Sequence, residues 1–263
     1  LSNCMKKTNQ FGYWTEALVY PLLLIAVLWI VFWADHLFDL VDFYKMGIKP
    51  KTMSGLKGII FMPFIHDKTG YEHIVNNSLP IGVLLGALIY YYREIALKVF
   101  VLTWVATGVG LWVFAANNNS FHIGISGVIY GLASFLFVSG VLRKYLPLQA
   151  ISLFVAFVYG SLIWGIFPMK AHVSWEGHLS GMVAGIILAF VFRKRGPQSP
   201  KYLYEIEKEL GIEPPDFEGE LKERERLYAE SLLQNEREQI DHSKEITIKY
   251  IYKPNSKGET DRE

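Results

Sequence analysis

Cysteine is all but missing from this chain, with one residue, Cys4, among 263. A single thiol excludes an internal disulfide framework and any metal site built on cysteines. An excess of one charge is missing as well. The chain has 26 Lys and Arg against 25 Asp and Glu, a net charge of +1, whereas a nucleic-acid-binding surface needs a basic excess. There is no His-Glu-x-x-His and no pair of aspartates within apolar runs, so the zinc and aspartyl routes to intramembrane hydrolysis lack their residues. Charge of either sign is sparse from Ala17 to Phe192 outside a few loops, and dense from Arg193 onward. A soluble domain of this length would interleave its charges, and here they are segregated.

What fills the gap is apolar. Hydrophobic residues make up 51% of the chain, concentrated in six runs: Ala17–Ala34, Ile74–Tyr92, Val99–Ala116, Ile123–Leu142, Leu146–Phe167 and Gly177–Phe192. A bilayer core about 30 Å thick takes roughly 20 apolar residues in a helix, so each run reads as a crossing. The polar stretch Leu1–Glu16 precedes a run with no small-residue cleavage site, so the first run is expected to stay in the membrane. Lys and Arg in the short loops set orientation. Arg93 and Lys98, Arg143 and Lys144, and Arg193 to Arg195 all fall on one side if the spans alternate. Both termini are then cytoplasmic, and spans two, four and six run from outside to inside.

Gly196-Pro197 and Ser199-Pro200 mark a boundary after the last run. The expected organisation is a cytoplasmic segment at 1–16, a membrane domain at 17–195 and a charged cytoplasmic tail at 196–263. In the tail, Lys201–Leu210 and Gly219–Asp241 read as helices and Glu245–Tyr252 alternates like a strand. Leu221, Tyr228 and Leu232 form a narrow apolar stripe on the second helix. That stripe fits a solvated appendage or a partner-binding face, with the partner unspecified.

The argument for chemistry rests on where polar residues interrupt the apolar runs. His73 and Asn77 are four apart and share one helix face at the outer end of span two. Asn77 lies about 6 Å deeper than His73. Ser126 falls in the first turn of span four and His178 in the first turn of span six. With this topology all four reach similar depth from one side, which points to a single water-accessible cavity. Ionisable groups at membrane depth are costly and mark functional sites by default.

Ser126 is the candidate nucleophile, since a serine hydroxyl needs an adjacent base to take its proton. His178 is the candidate base, because imidazole ordinarily titrates near working pH. Gly124 and Gly127 flank Ser126 and leave its hydroxyl open to a substrate backbone. Unpaired N–H groups at the head of span four, with His73 and Asn77, would supply donors for an oxyanion. No acidic residue orients His178, because Glu176 should point to another face and into water. Tyr130, one turn after Ser126, could pack on the imidazole, so a dyad is expected rather than a triad. Gly177, Gly181 and Gly185 line one face of span six, and Gly127 and Gly131 one face of span four. His66, His122 and His172 fall in outer loops and read as interfacial or solvent residues. Taken singly, each feature has an ordinary explanation: Gly-x-Ser-Gly as helix packing, a histidine as interfacial, Asn77 as a helix cap.

Three of these segments together resemble the rhomboid family of intramembrane serine proteases, in its six-helix prokaryotic form. They are His73-Ile-Val-Asn-Asn77, Gly124-Ile-Ser126-Gly127-Val-Ile-Tyr130 and Gly177-His178-Leu-Ser-Gly181. The stretch from Gly47 to His66 is also similar to the segment entering span two of rhomboids. Many relatives carry a Trp-Arg pair in the first outer loop, and this chain has none there. The resemblance implies an all-α, six-transmembrane-helix bundle at 17–195, with a small soluble C-terminal tail on which it is silent. It further implies a Ser126–His178 dyad, an oxyanion hole from His73, Asn77 and backbone N–H near Ser126, and Tyr130 against the base. Neither cofactor nor metal is implied. The implied substrates are single-span membrane proteins in the lipid bilayer, and the implied location is a prokaryotic plasma membrane. Two other classes compete: a catalytically inactive rhomboid-like protein that binds transmembrane clients, and a transporter. The first usually lacks the serine or the histidine, and the second calls for charges deep in several spans.

Overall fold

Backbone groups in lipid must be satisfied within the protein, and an α-helix does so within one segment. The computed structural model, which describes residues 2–38, 42–116, 119–158, 164–169, 174–197, 203–211, 216–244 and 248–252, is accordingly helical. Two units can be distinguished, Leu1–Pro200 and Lys201–Glu263.

The first unit contains α1 (Ser2–Leu37), the single turn α2 (Gly58–Phe61), α3 (Glu72–Tyr92), α4 (Ala96–Phe114), α5 (Ser126–Leu142), α6 (Leu146–Val158) and α7 (Trp175–Val191). Among the described residues, three helical stretches are long and apolar enough to cross a membrane: Gly12–Leu37, Glu72–Tyr92 and Ala96–Phe114. The helices α5, α6 and α7 are shorter and also apolar. This is an all-α integral membrane protein. The α5 and α7 helices have 17 residues each. At 1.5 Å per residue that is about 26 Å, close to the thickness of the hydrocarbon core.

The α5 helix sits at the centre, packed against α7, α4, α6 and α3. Its Val128, Leu132, Phe135 and Leu136 are fully buried and join Leu28 of α1 with Ile81, Leu84 and Leu88 of α3 in one core. The contact between α5 and α7 is made of glycine. A side chain at Gly181 would start on the carbonyl oxygen of Gly127, and one at Gly185 on that of Gly131. Small residues let two helix backbones approach this closely. At the far end from Ser126, Arg143 on the C-terminal cap of α5 donates to the carbonyl oxygens of Phe192, at 2.8 Å, and Arg195.

The segment between α1 and α3 is folded onto the bundle. Short 3-10 turns at Phe43–Met46, Met53–Lys57 and Met62–Phe64 shape it. Trp104 Nε1 donates to Ile59 O at 2.7 Å and Trp112 Nε1 to Thr52 O at 2.9 Å, anchoring it to α4. Ile48 and His122 exchange backbone hydrogen bonds of 2.9 and 2.8 Å, and Gly124 N donates to Met62 O at 2.8 Å. The chain just ahead of Ser126 is thereby tied to this segment at two points.

Several boundaries differ from those read in the sequence. The α5 helix begins at Ser126 rather than Ile123, because Gly124 takes a φ of +104°, outside the helical region. Residues 165–169 form turns instead of continuing the fifth helix, and Pro168 disfavours helix in the residue before it. The α1 helix runs unbroken from Ser2, through the polar segment.

The second unit contains α8 (Leu203–Glu209) and α9 (Phe217–Lys244). Asp216 caps α9, accepting from Gly219 N at 2.8 Å. The apolar Leu221, Tyr228 and Leu232 are exposed. The expected strand at Glu245–Tyr252 is not present in its described part: residues 248–252 have no regular structure. A lone strand has no partner to complete its hydrogen bonds. Residues 245–247 lie outside the described residues.

Candidate active site

Two helix heads converge on one place. Ser126 is the first residue of α5 and His178 the fourth of α7, and the glycine contact brings the two backbones together just below them. The Ser126 hydroxyl lies 2.8 Å from His178 Nε2. On the other side of the ring, Nδ1 lies 2.8 Å from the carbonyl oxygen of Gly165. A carbonyl can only accept, so Nδ1 carries the proton and Nε2 presents its lone pair to the serine. That is the tautomer a base needs. Tyr130 stacks on the same ring, with centroids 4.2 Å apart and planes 12° from parallel, which fixes the ring's tilt.

The α3 helix supplies the facing wall. His73 and Asn77 lie in its first two turns. Ser126, His178, His73, Asn77 and Tyr130 all line one cavity of about 2040 Å³. The Gly124 backbone passes beside His73 and Asn77. A side chain at Gly124 would put Cβ 2.8 Å from His73 Nε2 and 3.8 Å from Asn77 Nδ2. Both groups therefore look onto a space that only glycine leaves open. Val128 N and Ile129 N already return to Ile125 O. The N–H groups of Ser126 and Gly127 precede the first intrahelical bond and have no backbone acceptor among the described residues, as expected at a helix head. A hydroxyl on a base, facing a set of N–H donors, has the parts required for acyl transfer through a tetrahedral oxyanion.

Residues 54–195 match the Rhomboid domain, a span that contains every residue of this constellation. The chain belongs to the rhomboid family. Rhomboids are a family of intramembrane proteases. Two mycobacterial proteins are similar over most of its length. The uncharacterized protein Rv1337 of Mycobacterium tuberculosis (strain ATCC 25618 / H37Rv) is 36% identical over 196 residues, covering 70% of this chain and 79% of the relative. The uncharacterized protein ML1171 of Mycobacterium leprae (strain TN) is 31% identical over 218 residues, covering 80% and 82%.

Around the centre of this rhomboid, three side chains depart from the sequence reading. His66, expected at the solvent or interface, is 2% exposed and sits 3.1 Å from Asn77 Nδ2 through its Nε2. Burial, together with the neighbouring His73, pushes its imidazole down to about 3. His122, expected in the same class, is buried, and its Nδ1 meets Ser174 Oγ at 2.8 Å. Glu176 turns inward instead of into water, accepting from Ala116 N at 3.1 Å. The physical reason is common to all three. The loops ahead of α3 and α5 carry His66, His122 and Ala116 onto the bundle, where they meet Asn77, Ser174 and Glu176, and no apolar run announces such contacts. His172 lies outside the described residues. Sequence reasoning missed Gly165 altogether, because its contribution is a main-chain carbonyl, which every residue type possesses.

Among the described residues no group of three His, Cys, Asp or Glu side chains could hold a metal ion.

Proposed function

We propose that this rhomboid is an active intramembrane serine endopeptidase that cleaves single-span membrane proteins. The observation that carries the reading is the relay Ser126 Oγ to His178 Nε2 and His178 Nδ1 to Gly165 O, each link 2.8 Å. Ser126 Oγ attacks the scissile carbonyl carbon while its proton passes to His178 Nε2. The carbonyl oxygen becomes an oxyanion held by His73, Asn77 and the N–H groups at the head of α5. Collapse breaks the C–N bond, and His178 gives the proton to the departing amine. Water, deprotonated by His178, then hydrolyses the acyl-serine and restores the hydroxyl. The chemistry uses no cofactor.

The protein crosses the membrane six times in this reading, with both termini and the 196–263 tail in the cytoplasm and the cavity facing outward. The basic residues Arg93, Arg143, Arg193 and Arg195 support that orientation, since they cluster at the ends of the helices opposite Ser126. A prokaryotic plasma membrane fits the bacterial relatives.

The test is direct. Purified protein in detergent should label with a fluorophosphonate and cut a single-span test substrate. Ser126→Ala and His178→Ala should each abolish cutting while remaining folded. Substantial cleavage by Ser126→Ala would overturn the assignment. A folded wild-type protein that neither labels nor cuts would leave the inactive, client-binding reading in its place.

A further inference from the structure

We propose that His66 is a positioning residue of the oxyanion site, whose Nε2 fixes the carboxamide plane of Asn77 and so holds an Asn77 N–H toward the cavity. The inference rests on the serine-protease reading and adds to it a residue outside the helices that carry the other side chains.

A carboxamide is a poor oxyanion donor unless something restrains it. Its terminal torsion is broad and roughly two-fold, and a donor lowers the barrier only if it is already aimed at the developing charge. Asn77 is 5% exposed, and His66 meets its amide nitrogen at 3.1 Å. The two hydrogens on that nitrogen lie in one plane. Committing one to His66 directs the other away from it, toward the side where Gly124 leaves space 3.8 Å from Nδ2. The lock also works with the amide turned over, Nε2–H then donating to Oδ1 and both Asn77 hydrogens facing the cavity.

His66 is itself held in place. The Met62–Phe64 turn immediately precedes it, closed by Ile65 N donating to Met62 O at 3.2 Å. Its ring stands edge-on to His73, with centroids 5.0 Å apart. The same loop that accepts from Gly124 N thus also aims Asn77, so the Gly124 backbone and the donor beside it are set by one segment. With its imidazole pushed down to about 3, His66 is neutral at any working pH. It therefore supplies a constant hydrogen-bond partner and adds no charge to a site where a negative charge must develop.

The experiment is a double-mutant cycle on kcat and KM with the full-length protein and a single-span test substrate. His66→Phe keeps the ring and removes the partner atom. His66→Gln places an amide that can accept or donate near the position of Nε2. His66→Phe should lower kcat on the order of 10-fold with KM little changed, short of the roughly 10²–10³ that loss of a donor itself costs. In an Asn77→Ala background the same substitution should have almost no further effect, because there is no amide left to aim. His66→Gln should recover most of what His66→Phe loses. Wild-type kcat in His66→Phe, or an equal loss with and without Asn77, would overturn the proposal, the second outcome assigning His66 to loop stability. Should His66→Phe fail to fold, His66→Gln decides: a folded His66→Gln with kcat as low as Asn77→Ala overturns the proposal, and one near wild type supports it. Failure of the protease reading is visible separately, as a wild-type protein that neither cuts nor labels, and it takes this inference down with it.

Discussion

The carbonyl oxygen of Gly127 occupies the place where a side chain on Gly181 would begin. Backbone contact at that point, one residue after Ser126 and three after His178, is what allows the two side chains to meet at 2.8 Å. Gly181→Leu should therefore insert normally, since leucine suits lipid, yet wedge α5 from α7. A displacement near 1 Å can cost about 10² in rate. Expression should persist while cleavage and fluorophosphonate labelling are nearly lost. Wild-type labelling would mean that the helices can adjust and that this contact does not set the pair's geometry.

Gly124→Ala tests the space beside His73 and Asn77. At φ +104° a residue with a Cβ is strained by roughly 1–3 kcal/mol, and the added methyl would enter the space in front of His73. The variant should fold with a lowered thermal midpoint and lose most of its kcat. Retained kcat would show that the substrate oxygen does not occupy that space.

His73→Ala and Asn77→Ala should give graded losses, unlike the all-or-none effect expected at Ser126. Removal of one oxyanion donor costs on the order of 10²–10³, and the loss should appear in kcat more than in KM because the charge exists only in the transition state. A change confined to KM would assign the residue to substrate docking.

Stability should fall in mild acid, with a recognisable contribution from His66. Its folded-state imidazole is held at about 3, below an ordinary value of 6.5. The unfolded chain therefore takes up a proton there that the folded protein refuses. The stabilisation is fully present above pH 6.5 and is lost as pH falls toward 3, at about 1.4 kcal/mol per pH unit for one such group. Thermal midpoints in detergent across this range should fall more steeply for wild type than for His66→Gln. Parallel slopes would contradict the burial of a neutral imidazole.

Much of the architecture was legible because lipid imposes a simple code. Apolar runs mark helices, glycines every fourth residue mark where helices touch, and Ser126, Asn77 and His178 stand out as polar groups in apolar surroundings. The loops follow no such code. His66, His122 and Glu176 look like solvent residues by type, and it is loop contacts, with Asn77, Ser174 and Ala116 N, that hold them inside. The alternating residues near the C-terminus have a strand's pattern but, among the described residues, no neighbouring strand to pair with.

The group that orients His178 is a main-chain oxygen, at Gly165. A systematic substitution scan would single out Ser126 and His178 as intolerant positions, yet could pass over position 165, because any amino acid that preserved the local turn would bring the same oxygen. Descendants of this sequence are thus free to vary the residue while inheriting its service. The contact would be exposed only by editing the backbone itself, for instance by replacing the amide that follows Gly165 with an ester, whose carbonyl is a weaker acceptor.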